Sequence, residues 1–132
     1  MKGMVYRADR KTEVLYCGEY KGHKFAILSL GTHPTAYVEN KLPNCTSYDD
    51  ERLDDVSVHC GFTYCDKAYW DDEEKALFLG WDYAHFRDFS GYFFKYPAMM
   101  DDTSKKWTTI EIFDEVKSVI NQLCMLEGES NG

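Results

Sequence analysis

"WTTIEIFDEVKSVINQLCMLEG", residues 107–128, decides the fold. Ile112, Phe113, Val116, Val119, Ile120 and Leu123 recur at helical spacing, so one apolar stripe runs along a helix over about 109–126. Thr108 followed by Glu111 reads as a capping box, and Trp107 with Ile112 is placed as the hydrophobic staple that sets the entry angle. Gly128 is the stop signal, which leaves "GESNG", residues 128–132, as a frayed tail. A stripe of this length needs a sheet to pack on.

The rest of the chain supplies strands. "TEVLYCGEYKGHKFAILSL" alternates about Lys21-Gly22, a two-residue hairpin turn, with strands expected at about 12–19 and 23–30. His23, beside that turn, is expected to face solvent. "GTHP" breaks the run, Pro34 pushing His33 toward an extended backbone, and "TAYVE" resumes as a short strand. Residues 40–54, "NKLPNCTSYDDERLD", are polar and rich in turn formers, the first candidate for mobility. The fold class is therefore α+β: an antiparallel sheet of about four to six strands with one long C-terminal helix packed on one face, a single domain over 1–127.

"VHCGFTYCDKAYWDDEEKALFLGWDYAHFRD", residues 58–88, holds the residues that carry chemistry. Val56, Val58, Cys60, Phe62 and Tyr64 fall on one face of an alternating run, and Leu77, Leu79, Trp81 and Tyr83 on one face of the next. Paired as a direct hairpin in a centred register, the two runs set His59 opposite Asp82, Gly61 opposite Gly80, and Thr63 opposite Phe78. Two facing glycines leave a trough that a ligand or a neighbouring group can enter. His33, Gly61, Thr63 and Gly80 are the candidate ligand-binding residues.

Asp82, His85 and Asp88 follow one another at spacings of three. If "DYAHFRD" turns helical, they and His59 make a two-histidine, two-carboxylate set suited to a divalent metal. The same geometry suits a general base tuned by a carboxylate, with His59, Asp82 and His85 as catalytic candidates. The competing expectation is structural, a His/carboxylate cluster that only ties the sheet to its loop. The metal-free reading is preferred, with a divalent cation as the alternative cofactor. No nucleophile elbow, Gly-rich phosphate loop, HExxH or zinc-ribbon spacing occurs.

The net charge is −8, from 23 acids against 15 bases, which repels a phosphate backbone and argues against nucleic acid as a direct partner. The acids cluster in "YDDERLDD" and "DDEE", so Asp49, Asp50, Glu51, Asp71, Asp72, Glu73 and Glu74 are the candidate partner-binding residues. Five cysteines without CxxC spacing read as reduced thiols, with Cys60 facing the core. No apolar run is long enough for a membrane helix and the start lacks a secretory signal, so the expected location is cytoplasmic.

The order "GTHPTAYV", "YDD", "VHCGFTY", "LGWDYAHFRD" and an amphipathic helix resembles a family of small phage-encoded proteins with a Gly-x-His loop, a VHGGLTY strand and a GFD-x-AH strand. The likeness runs through most of residues 31–88 and falls on His33, Tyr37, Val38, His59, Gly61, Thr63, Tyr64, Gly80, Asp82, Ala84, His85 and Asp88. Cys60 and Arg87 stand where the family pattern has glycine. The resemblance implies a phage accessory origin and the cytoplasm of a bacterial host cell. Two functions follow as expectations: inhibition of a host defence protein through the acidic, aromatic surface, or a small metal-dependent hydrolase or nucleotide-binding protein using His59, Asp82 and His85. A purely structural accessory domain is the third.

Overall fold

The computed structural model describes residues 4–7, 10–30, 33–71, 73, 75–83 and 107–131. Lys21 and Gly22 both take positive φ, 50° and 82°, the turn whose twist matches the strands it joins. The hairpin so formed is β2 (Arg10–Tyr20) and β3 (His23–Ser29), preceded by β1 (Met4–Arg7), which the sequence reading did not anticipate. β4 (Pro34–Glu39), β5 (Tyr64–Lys67) and β6 (Leu77–Asp82) complete one antiparallel sheet in the order β1-β2-β3-β4-β6-β5.

The helix α1 (Thr109–Asn131) covers one face, starting where the capping box put it. The Thr108 backbone N–H donates to Glu111 Oε1 at 3.1 Å, and the Glu111 N–H donates to Thr108 Oγ1 at 3.2 Å. At its other end the helix runs through Gly128 rather than stopping there. Its stripe, Ile112, Val116, Val119, Ile120 and Leu123, is buried against Phe25, Ile27, Ala36, Val38, Leu79, Trp81 and Tyr83 from alternate positions of β3, β4 and β6.

The far face carries its own small core. Ala26, Leu28, Tyr37 and Phe78 meet Ala68 and Trp70, which the β5–β6 connection folds back over the sheet. A bulge at Leu15 puts Val14 and Cys17 on this far side and Tyr16 on the helix side, and leaves Leu15 exposed. All five cysteines are free thiols, as their spacing suggested.

The expected hairpin of residues 56–83 is overturned in three respects. Residues 56–63 are not a strand, because Cys60 (φ 56°) and Gly61 (φ 85°) turn the chain with left-handed backbone. Pairing begins at Tyr64, opposite Gly80, so the register differs by three from the centred one and the faces exchange: Tyr64 joins the far core while Val58, Phe62 and Cys65 pack on the helix side. Finally, β6 lies between β4 and β5, so Asp82 pairs with Thr35. Cys60, expected in the core, is exposed.

Candidate functional site

His59 and Asp82, read above as partners, belong to opposite faces of the sheet. Trp81 and Tyr83 face the helix, so the residue between them faces away. The His59 ring stacks on Tyr83 with centroids 4.7 Å apart and meets Trp107 edge-on at 5.0 Å, on the helix side. Its backbone N–H donates to Glu115 Oε2 at 2.7 Å. Tyr83 donates its hydroxyl proton to the other Glu115 oxygen and accepts from Trp81 Nε1 at 2.9 Å. Glu115, which the sequence reading passed over, is thus the carboxylate that ties this group to α1. His85 and Asp88, the other members of the expected catalytic and metal sets, lie outside the described residues.

The glycine trough is not open. A Cβ on Gly80 would stand 2.5 Å from Tyr37 Cδ1, so the tyrosine ring of the neighbouring strand already fills the space. Gly61 is in a turn and faces no glycine. His33, Thr63 and Asp82 do come together, with Thr35, Tyr37 and Tyr64, around a recess of about 160 Å³. Thr35 is buried, and its hydroxyl has no hydrogen-bond partner among the described residues. Burying an unpaired hydroxyl is unfavourable, so this recess favours a polar occupant.

The acidic stretches sit on separate surfaces. Leu42, Cys45 and Leu53 anchor residues 42–55 on the helix side, whereas Asp71 and Glu73 follow Trp70 on the far side, with Asp72 and Glu74 outside the described residues. The loop expected to be mobile is tied down instead. Arg52 forks onto Asp50, with Nε–Oδ1 at 3.0 Å and Nη2–Oδ2 at 2.9 Å, and its third donor reaches the Pro43 carbonyl at 2.9 Å. Asp50 also caps the 3-10 turn Glu51–Leu53 by accepting from the Arg52 N–H. Its charge is therefore spent inside the loop, while Asp49, Glu51, Asp54 and Asp55 remain exposed in the same loop as Tyr48, half exposed at 50%.

The hydrogen bonds from Arg52 hold the Asp50 carboxyl well below the usual range, at about 2. A carboxylate with a depressed folded-state value stabilises the loop above its ordinary value of 3.8, and that contribution is lost as pH falls through about 2. An NMR titration of the Arg52 Nε–H resonance should therefore show a midpoint near 2, and a midpoint near 3.8 would contradict the fork. On β5, burial pushes the Cys65 thiol up, which keeps it protonated and inert.

A fourth group escaped the sequence reading. His23, expected in solvent, is 2% exposed; its Nε2 lies 2.9 and 3.0 Å from the two oxygens of Glu127, and its Nδ1 lies 3.9 Å from Cys124 Sγ and 3.3 Å from the Lys21 carbonyl. The signal was present: His23, Phe25 and Ile27 alternate onto the helix side, and Cys124 and Glu127 continue the side of α1 that carries Ile120 and Leu123. Of the His, Cys, Asp and Glu side chains among the described residues, His23, Cys124 and Glu127 form the group arranged to hold a metal.

No family model matches the chain, and comparison with curated proteins and with solved structures gives no match. Among the described residues no helix is long and apolar enough to cross a membrane.

Proposed function

We propose that this protein is a phage accessory protein that antagonises a bacterial defence system, seating its 47–55 loop on a basic surface of a host protein in the host cytoplasm. The observation that carries the reading is the tethered loop itself: Tyr48 stands half exposed among Asp49, Glu51, Asp54 and Asp55, while Arg52 fixes the backbone beneath them. An exposed aromatic side chain in an acidic loop suits a protein interface, and a loop already fixed loses less conformational freedom on binding. The net charge of −8 adds long-range steering toward a basic partner and disfavours nucleic acid. The phage origin rests on the resemblance through residues 31–88.

Capture from a bacterial lysate tests it, using the full chain and a variant carrying D49N, E51Q, D54N, D55N and Y48A. Asp50 is left intact so that the loop keeps its fork. Partner retention should fall by roughly tenfold or more and, for the unaltered chain, weaken steeply with salt. Recovery of the same partners at the same strength by the variant overturns the reading.

A second reading has one observation in its favour, the unpartnered Thr35 hydroxyl beside His33, Thr63 and Asp82. At about 160 Å³ the recess is far smaller than the ~300–1,000 Å³ of ordinary ligand pockets, so it suits a small polar group rather than a whole nucleotide.

A further inference from the structure

We propose that His23, Cys124 and Glu127 form a binding site for a divalent cation of the zinc class, independent of the 47–55 loop. The ring nitrogens of His23 each have two neighbours: Nδ1 lies 3.3 Å from the Lys21 carbonyl and 3.9 Å from Cys124 Sγ, and Nε2 lies 2.9 and 3.0 Å from the two Glu127 oxygens. A neutral ring can meet them with an Nε2 proton on the carboxylate and the Cys124 thiol proton on Nδ1. A metal ion held by the imidazole, the carboxylate and the thiolate together would take the place of those protons.

Three features favour the metal. The nearly equal approach of both Glu127 oxygens is that of a bidentate carboxylate, not of one N–H aimed at one oxygen. Cys124 brings its sulfur to within 4.8 Å of the donor atoms of His23 and Glu127, and a thiolate is a strong zinc ligand. A backbone carbonyl on the distal ring nitrogen is also how metal-binding histidines are held in orientation.

Charge points the same way. The site lies in the last turns of α1, where the carbonyl ends of the helix favour a cation, and the last turn contains no basic residue. Glu127 adds a full negative charge there, and Cys124 adds another once its proton is released to water. A doubly charged cation neutralises both while leaving the imidazole neutral. The N, S, O donor set excludes magnesium and calcium, which take all-oxygen shells, and three protein ligands leave the fourth tetrahedral position to water. Cation binding would clamp the β2–β3 turn to the end of α1.

Cobalt(II) is the probe, added to the full-length chain after treatment with a chelator. A thiolate-to-cobalt charge-transfer band should grow to saturation at one equivalent, with release of one proton from the thiol, and zinc should bleach it. The band should vanish in C124S and survive in C60S and C65S. E127Q should keep the band while weakening cobalt affinity by at least roughly tenfold, the smaller of the losses seen when even an outer partner is removed. Zinc should raise the melting temperature of the unaltered chain and of C60S but not of C124S; circular dichroism of each variant establishes that it is folded. No band in the folded chain, or a band lost in C60S and retained in C124S, overturns the site and leaves His23–Glu127 as a hydrogen-bonded pair.

Discussion

Gly80→Ala should destabilise the protein by about 3 kcal/mol, although adding a methyl group to a mid-strand glycine ordinarily stabilises it by roughly 0.5–1 kcal/mol. The backbone at Gly80 is not in the left-handed region, so the cost is one of space. The new carbon would stand 2.5 and 2.6 Å from two atoms of the Tyr37 ring and 3.1 Å from Tyr64 Cβ. The ring has nowhere to go: Tyr37 is 4% exposed, lies 4.3 Å from Trp70 centroid to centroid, and meets Tyr64 and Tyr69 edge-on at 5.1 and 6.0 Å. Urea denaturation gives the check. Tyr37→Leu combined with Gly80→Ala should cost less than the sum of the single changes, since the smaller side chain removes the clash. Equal or greater stability for Gly80→Ala alone would mean that the aromatic cluster yields easily.

That glycine also shows how far the sequence could be read. Its presence in a strand correctly signalled a close approach, but the approaching group came from β4, some forty residues earlier in the chain, which no local pattern could specify. The helix, its capping box and the Lys21-Gly22 turn were legible because each depends on residues a few positions apart. The error over 56–63 has a physical cause: Val58 and Phe62 both reach the helix-side core although the chain turns between them, so two unrelated contacts imitated one strand face. The Cys60-Gly61 pair was the missed turn signal, and reading it as a gap in a strand carried the register error into the His59–Asp82 pairing. His23 was misplaced for a smaller reason, since proximity to a turn was weighed above the alternation of its own strand. Of the expected ligand set, His33 and Thr63 do share a recess, together with the catalytic candidate Asp82, which β4 and β6 pairing places there rather than the expected hairpin.

Glu115→Ala should cost about 3 kcal/mol, the larger part of it through residues outside α1. The carboxylate accepts the Tyr83 hydroxyl proton and the His59 N–H, and Tyr83 in turn accepts from Trp81 Nε1. Tyr83 and Trp81 are essentially unexposed, so truncation leaves the hydroxyl donor facing a methyl group with no route to water. A hydrogen bond to a charged group contributes about 1.5–3 kcal/mol and an orphaned buried donor costs about 1–3 kcal/mol, so the Tyr83 hydroxyl, with a smaller part from the part-buried His59 N–H, accounts for the estimate. Glu115→Gln should fall between, because one amide oxygen remains to accept while the amide nitrogen confronts the other donor. The same network predicts that His59→Ala is mild, about 1 kcal/mol, because His59 meets Glu115 through its backbone rather than its imidazole, whose stacking on Tyr83 and Trp107 is lost. Thermal and urea unfolding of the three variants separates the possibilities. If His59→Ala proves as damaging as Glu115→Ala, the imidazole itself is the essential group, and the carboxylate is not what ties residues 59, 81 and 83 to the helix.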